Sequence, residues 1–151
     1  MTEQDLIDLI FDLENELGDD SRLNALFSVM LSDFGYRDKW CADIRVSSTN
    51  PGKIVSTYPH EGRKTTYGTS WPAEWTRRPD YTMQAFKALY PDAVMTITFD
   101  PNGHDPDHPD AVYCATAHVG ETYTSLAKTI GKAVCAVLAE TLHGHGPWTK
   151  A

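Results

Sequence analysis

The first 20 residues combine a charge imbalance with a regular apolar spacing, and the two features together leave few ways for this segment to fold. Residues 1–20 contain eight Asp or Glu and no Lys or Arg. The apolar residues of the segment recur at helical spacing, and they are Leu6, Ile7, Leu9, Ile10, Phe11, Leu13 and Leu17. We therefore predict an amphipathic helix over residues 1–18, with one apolar face and one strongly anionic face.

The charge of the whole chain comes from this segment. The 151 residues contain 21 acidic and 13 basic side chains, a net charge of −8, and the first 20 residues account for all of it. A chain of this charge is not expected to bind nucleic acid directly. No apolar run approaches the about 20 residues of a membrane span, and the N-terminus does not resemble a secretion signal. The three widely spaced cysteines predict no disulfide framework, so we expect a cytoplasmic protein.

The remainder of the chain alternates between helical and strand patterns within one domain, residues 1–151. A second helix is predicted over residues 21–34, strands over residues 41–47 and 53–58, and a loop over residues 59–80. A helix over residues 82–90, strands over residues 94–99 and 111–117, and a long helix over residues 124–142 follow. The order α-α-β-β-α-β-β-α predicts an α+β fold with an antiparallel sheet built from two hairpins. Residues 22–142 are its body, and residues 143–151 are expected to form a flexible tail.

One segment also resembles a known family. Tyr81-Thr82-Met-Gln-Ala-Phe-Lys-Ala-Leu-Tyr-Pro91 is similar to the proline-terminated helix of small bacteriophage proteins with the phage ABA-sandwich domain. The order of a preceding helix, a tryptophan loop, a hairpin and an alanine-rich final helix with Cys135 matches that family over about residues 22–142. The resemblance implies a phage or prophage origin and a sandwich fold. It implies no catalytic residue, because the family has no assigned activity.

The loop over residues 100–110 is rich in groups that bind metal ions. His104, Asp105 and His108 are the candidate ligands. His104 and His108 have the i, i+4 spacing of helical ligand pairs, but Pro106 between them disfavours a helix. Asp, Asn, Gly and Pro are also the ordinary residues of a solvated hairpin loop. The sequence leaves both interpretations open.

Two further groups of residues have chemistry of interest. Trp71, Trp75, Arg77 and Arg78 could stack on a ligand, although a tryptophan loop folded over the sheet explains the same residues. Cys114 and His118 lie on alternate positions of one predicted strand, where a Cys–His nucleophile pair is conceivable. A cysteine in such a strand is more often a small buried apolar residue.

The acidic helix favours a function in protein recognition. Its candidate partner-binding residues are Asp5, Asp8, Asp12, Glu16 and Asp19. Fixed anions attract basic clefts, although most charged helix faces are simply solvated. The leading hypothesis is a non-enzymatic phage-type protein that inhibits a basic host protein, in the manner of a host-takeover or counter-defence factor. The alternative is a small-molecule-binding or metal-assisted hydrolytic protein that uses the 100–110 loop. No cofactor is expected, and a homodimer through the first helix is compatible with its wide apolar face.

Overall fold

The computed structural model describes residues 1–15, 17, 19–37, 41, 43–60 and 64–146, and it describes no side chains at positions 60 and 64–67. This part of the chain forms four helices and six strands. The helices are α1 (Glu3–Asn15), α2 (Asp20–Asp33), α3 (Pro79–Leu89) and α4 (Ile130–Gly144), and the strands are β1 (Asp43–Val46), β2 (Ile54–His60), β3 (Lys64–Ser70), β4 (Val94–Phe99), β5 (Tyr113–Val119) and β6 (Glu121–Ala127). The predicted α+β class is confirmed.

The strands form two separate antiparallel sheets, of three strands each. The first sheet has the order β1-β2-β3 and the second has the order β4-β5-β6. Each predicted hairpin is therefore present, but each has gained a third strand that the sequence analysis did not anticipate. The single sheet expected from the two hairpins is replaced by two sheets, of which the first contacts α2 and the second contacts α1 and α4.

The two unanticipated strands were missed for different reasons: the sequence around β3 resembles a loop, and the sequence of β6 resembles the start of a helix. β3 lies in the segment predicted as a loop, where glycines and prolines on either side obscured the β-branched residues Thr65, Thr66 and Thr69. β6 occupies the first residues of the predicted last helix. The helix was predicted to start too early because Leu126 continues by chance the helical spacing of Ile130. The helix begins instead at Thr129, whose side chain accepts a hydrogen bond from the Lys132 amide at 3.2 Å.

Helix α4 is the centre of the core. Every residue from Gly131 to Ala139 is buried, and the helix contacts α1, α3, β5 and β6. The sheet surface beneath it is lined by small side chains that are 0–1% exposed: Ala115, Ala117, Ser125 and Ala127. Small residues on the sheet let the helix approach closely, so the apolar Ala- and Val-rich sequence of α4 is covered on all sides.

The end of α4 is ordered beyond the predicted boundary. The helix continues to Gly144, and the His145 ring lies between Tyr90 and Tyr123, with ring centroids 5.4 and 5.7 Å away. The His145 Nε2 atom also lies 3.1 Å from the Val119 carbonyl oxygen. Residues 143–146 of the expected tail therefore pack on the domain, and residues 147–151 lie outside the described part.

Candidate functional site

Helix α1 presents an apolar strip to solvent. Its core side is formed by four buried residues, Leu6, Leu9, Ile10 and Leu13. Ile7 and Phe11, which were expected to widen the buried stripe, are instead 40% and 56% exposed. Residues four apart on a helix are neighbours on its surface, so the two side chains form a continuous strip. The helix is therefore not divided simply into an apolar face and an anionic face.

Acidic residues lie at both ends of this strip and along one side of it. Helical spacing places Glu3 one turn before Ile7 and Glu14 one turn after Phe11. Asp8 lies beside Phe11 at the i, i+3 spacing, is exposed, and accepts a hydrogen bond from the Gln4 side chain at 2.9 Å. The exposed side of α1 therefore combines an apolar centre with an anionic border.

Three of the predicted partner-binding acids have a structural task. Asp5 and Thr2 form a reciprocal cap at the start of α1: the Thr2 amide donates to the Asp5 carboxylate at 2.9 Å, and the Asp5 amide donates to Thr2 Oγ1 at 3.1 Å. Hydrogen bonds from the Thr2 backbone and then its side chain hold the pKa of Asp5 below its usual value. Asp19 caps α2 by accepting from the Ser21 amide at 2.7 Å.

Asp12 completes this group of structural acids. Its carboxylate lies 3.2 Å from a guanidinium nitrogen of Arg22 on α2, so it ties the two helices together. Asp8 thus remains as the described member of the predicted set that neither caps a helix nor pairs with a residue of another helix. Glu16 lies outside the described residues.

Two half-buried carboxylates meet at the C-terminal end of α1. Burial, followed by the negative charge of Glu140 on α4, raises the pKa of Glu14, while a backbone hydrogen bond from Leu126 partly opposes the shift. Burial also raises the pKa of Glu140. The Leu126 amide belongs to β6, the outer strand of its sheet. Glu14 therefore covers part of that sheet edge, where burial and the charge of Glu140 disfavour its ionised form.

The same end of α1 meets the Asp- and His-rich loop. A polar cleft of about 250 Å³ lies between Glu14 and Asn15 on α1, Lys128 after β6, and the loop residues Asp107–Ala111. The acidic helix and this loop are far apart in the sequence, where they form separate candidate sites. The fold brings them together because α1 packs on α4 and β6.

The loop itself is organised by its own hydrogen bonds. Asp100 accepts from the Asn102 amide, and Asp105 accepts from the Asp107 amide, each at 2.9 Å. Among the residues that the structure describes, no three His, Cys, Asp or Glu side chains are grouped so that they could hold a metal ion. The set His104, Asp105 and His108 is included in that finding, so the metal-assisted alternative gains no support from the described geometry.

The tryptophan and arginine residues do not form one ligand surface. Trp75 points inward, where its indole Nε1 donates to Ser28 at 2.8 Å and its ring packs against Phe27 and Tyr36. Trp71 remains exposed, with the Lys53 ammonium 4.8 Å from its ring centroid. Trp75 is thus held against α2 and Tyr36, while Trp71 stays at the surface.

The two arginines of this group are engaged locally. Arg78 forms two hydrogen bonds with Asp80, at 3.0 and 3.2 Å, and lies 4.3 Å from the centroid of the Tyr81 ring. Arg77 lies 3.8 Å from Glu74 and lines, together with Trp71, a small polar pocket against α2. Both guanidinium groups are exposed and face neighbouring acids of their own segment.

Neither Cys114 nor Cys135 is placed as a nucleophile beside a histidine. Cys114 and His118 share one face of β5, but four residues of strand separate them by about 13 Å. His118 is bonded instead to Thr122 at 2.9 Å. Burial raises the pKa of Cys135 to about 12, and its thiol donates to the Trp75 carbonyl at 3.3 Å. These cysteines fit the structural interpretation.

An apolar groove between α3 and β4 was not anticipated at all. Its volume is about 410 Å³, and Met83, Phe86, Tyr90, Met95 and Ile97 contribute to its walls. The spacing of Met83 and Phe86 on α3 and the alternation of Met95 and Ile97 on β4 were visible in the sequence. Those patterns predict an inward side for each element, but they do not tell whether the two inward sides close on each other.

Comparisons with known proteins add no family to these observations. The chain matches no protein-family model, no curated protein and no solved structure. Within the described part, none of the helices has the length and apolar character that a membrane crossing requires.

Proposed function

We propose that this chain is a non-enzymatic interaction protein of phage type, whose helix α1 binds a basic surface of a host protein and inhibits it. The phage assignment rests on the sequence resemblance described above. The binding proposal is supported chiefly by the exposure of Ile7 and Phe11 on a helix that belongs to the most acidic part of the chain. A basic groove with an apolar floor is the surface that such a helix would fit.

The apolar strip supplies the expected anchor. Recognition of a helix in a groove commonly uses apolar side chains at i and i+4 spacing, and Ile7 and Phe11 have that spacing. Burying an aromatic side chain in a complementary pocket contributes more to affinity than a rim charge does. We expect Phe11 to be the residue whose removal weakens binding most.

The acidic border supplies long-range attraction and orientation. Residues 1–20 contain the equivalent of the entire net charge of −8, so the electrostatic field of the molecule is concentrated at this end of the sequence. Such a field accelerates encounter with a basic partner and falls with ionic strength. The association rate and the affinity of the complex should therefore both be higher at low salt than at high salt.

The test is capture from bacterial lysate at low and high salt, with variants chosen by the structure. Phe11→Ser removes the anchor, and Asp8→Asn removes an exposed border charge without touching the Thr2–Asp5 cap or the Asp12–Arg22 pair. Met83→Ser and Asp92→Asn are the matched controls, because both side chains are exposed and lie away from α1.

The proposal expects one host protein that is retained by the wild type and by both controls. Phe11→Ser should lose it. Asp8→Asn should retain it less well than the wild type at low salt, and this difference should shrink at high salt because salt screens the attraction. Binding of the purified target should then be measured directly. Equal retention by Phe11→Ser and the wild type, or capture that does not respond to salt, would rule out recognition through α1.

A further inference from the structure

One edge of the β4-β5-β6 sheet is covered by a helix, and the other edge is not paired with a strand in the described part. The β6 edge is covered by α1, which places Glu14 beside the backbone of Leu126. At the opposite edge, no strand in the described part pairs with β4 on its outer side. Exposed sheet edges usually contain Lys, Pro or a bulge that discourages pairing with another strand. The six residues of β4, Val-Met-Thr-Ile-Thr-Phe, contain no Lys, Pro or Gly.

The backbone groups on this edge are available for pairing. The Asp100 amide donates to the Val112 carbonyl at 2.8 Å, which continues the β4–β5 register by one residue. Hydrogen-bonded and non-bonded positions alternate along an antiparallel strand, so even-numbered residues direct their backbone groups to β5. Met95, Ile97 and Phe99 therefore direct their N–H and C=O groups to the open side.

We propose that two copies of this chain pair through β4 in antiparallel orientation, so that the two three-stranded sheets become one six-stranded sheet. The register places Ile97 opposite Ile97 of the second copy. Met95 then lies opposite Phe99 of the second copy, and the reciprocal pair forms on the other side of the two-fold axis. All six outward backbone positions of the two strands are paired in this arrangement.

The side chains in this register complement one another. Opposite residues in an antiparallel pair point to the same face, so Met95, Ile97 and Phe99 form one apolar row with their counterparts. That row continues the groove between α3 and β4, to which Met95 and Ile97 contribute. Phe99, which is 60% exposed in the single chain, would cover Met95 of the second copy at the mouth of the groove.

Charge also permits this contact in a strongly acidic chain. No residue from 94 to 99 is charged, although the chain has a net charge of −8. The register places Asp100 opposite Val94 of the second copy rather than opposite another acid. On the outer face, Thr96 lies opposite Thr98 of the second copy. Two copies can thus approach through β4 without bringing like charges directly together. A contact between two copies through the acidic side of α1 would bring like charges together.

The expected dimer is weak and depends on concentration. A single six-residue edge buries less than the about 800 Å² per partner of a standard interface. We therefore expect a dissociation constant in the micromolar range, on the order of 10 μM. The dimer leaves the exposed side of α1 free, because α1 covers the opposite edge of the sheet.

The register predicts the result of a charge exchange on two exposed residues. In Thr96→Glu/Thr98→Glu, each glutamate faces a glutamate of the second copy, and sedimentation equilibrium should show dimerisation weakened by roughly tenfold. In Thr96→Lys/Thr98→Glu, each lysine faces a glutamate, and dimerisation should return to the wild-type level or above. Thr122→Glu/Thr124→Glu adds the same charge to the same face of β6, and should leave the dimer within about twofold of the wild type.

Two results would overturn the proposal. The first is a wild-type chain that sediments as a monomer up to about 500 μM, well above the expected dissociation constant. The second is a dimer that is equally stable in the Thr96→Glu/Thr98→Glu variant and the wild type, which would place the contact elsewhere. Circular dichroism of each variant checks that the monomer is folded, so a loss of dimer cannot be confused with a loss of structure.

Discussion

Glu14 of α1 is half-buried near Glu140 of α4: burial raises the pKa of Glu14, and the negative charge of Glu140 raises it further. Both carboxylates are half-buried, and the pKa of Glu140 is raised by burial as well. The pair joins the first helix to the last, at the place where α1 also covers the β6 edge. Part of the stability of this helix contact is therefore lost whenever both groups are ionised.

A carboxyl whose pKa is raised by folding destabilises the native state at neutral pH, and protonation removes that cost as the pH falls toward the ordinary value of 4.5. Glu14→Gln should raise the free energy of unfolding at pH 7 by roughly 0.5 kcal/mol, a value that allows for solvent screening of a half-buried group. The gain should shrink between pH 7 and pH 4.5.

Urea unfolding at several pH values measures this effect. Glu74→Gln is the matched control, because Glu74 is an exposed glutamate outside the core and its replacement should leave the unfolding free energy nearly constant. A destabilised Glu14→Gln variant at pH 7 would show that the hydrogen bond from Leu126 outweighs the charge repulsion.

The Asn24 side chain of α2 is hydrogen-bonded to the loop that contains Trp71 and Trp75. Its carbonyl oxygen accepts a hydrogen bond from the buried Thr76 amide at 2.9 Å. Asn24→Ala leaves that amide without its partner in a buried position, which should cost about 1–3 kcal/mol of unfolding free energy. Thermal and urea unfolding measure the loss, and Asn102→Ala in the exposed loop is the control. An Asn24→Ala protein as stable as the control would mean that the amide finds another acceptor.

Gly131 allows α4 to pass close to the tryptophan loop. A Cβ atom at this position would lie 2.0 Å from the Thr76 carbonyl oxygen, and a backbone atom cannot rotate away. Although alanine is the better helix former, Gly131→Ala should destabilise the fold by about 1–3 kcal/mol through this overlap. Gly68→Ala is the control, because its Cβ would meet only the Tyr58 ring at 3.9 Å. Equal melting temperatures for the two variants would contradict the close approach.

The Thr2–Asp5 cap should separate the structural acids of α1 from the recognition surface. Thr2→Ala removes the hydroxyl that accepts from the Asp5 amide and should lower the unfolding free energy by about 1 kcal/mol. Asp8→Asn should leave stability nearly unchanged, because its contact lies within an exposed helix turn. Parallel denaturation curves check this difference, and a larger loss in Asp8→Asn than in Thr2→Ala would reverse the assignment.

The sequence predicts individual elements well where their pattern is long and locally capped. The α1 and α2 helices follow from apolar spacing and from Gly and Asp residues at their boundaries, where Asp19 caps α2. β3 and β6 were missed because a short strand becomes stable only through its partner strand. The helical spacing of Leu126 was real but irrelevant, since Leu126 pairs with Cys114 across the sheet.

The candidate site was less predictable than the fold for a related reason. Periodicity identified the anionic residues of α1, but it could not show that Asp12 is held by Arg22 or that Asp5 caps its own helix. It also assigned Ile7 and Phe11 to the core because apolar residues are normally buried. Which of several apolar residues remain outside depends on how many neighbours a helix has, and that number is set by the tertiary structure.

The position of α4 at the centre of the core has a consequence for the order of folding. Of the described elements, this helix is synthesised after all the others, yet α1, α3, β5 and β6 all pack against it. A nascent chain that ends before Thr129 exposes the small-residue surface of the sheet and the apolar side of α1 with nothing to cover them. Cooperative folding of these elements must therefore wait for the synthesis of α4, and until then the net negative charge of residues 1–20 opposes self-association of the exposed apolar surfaces.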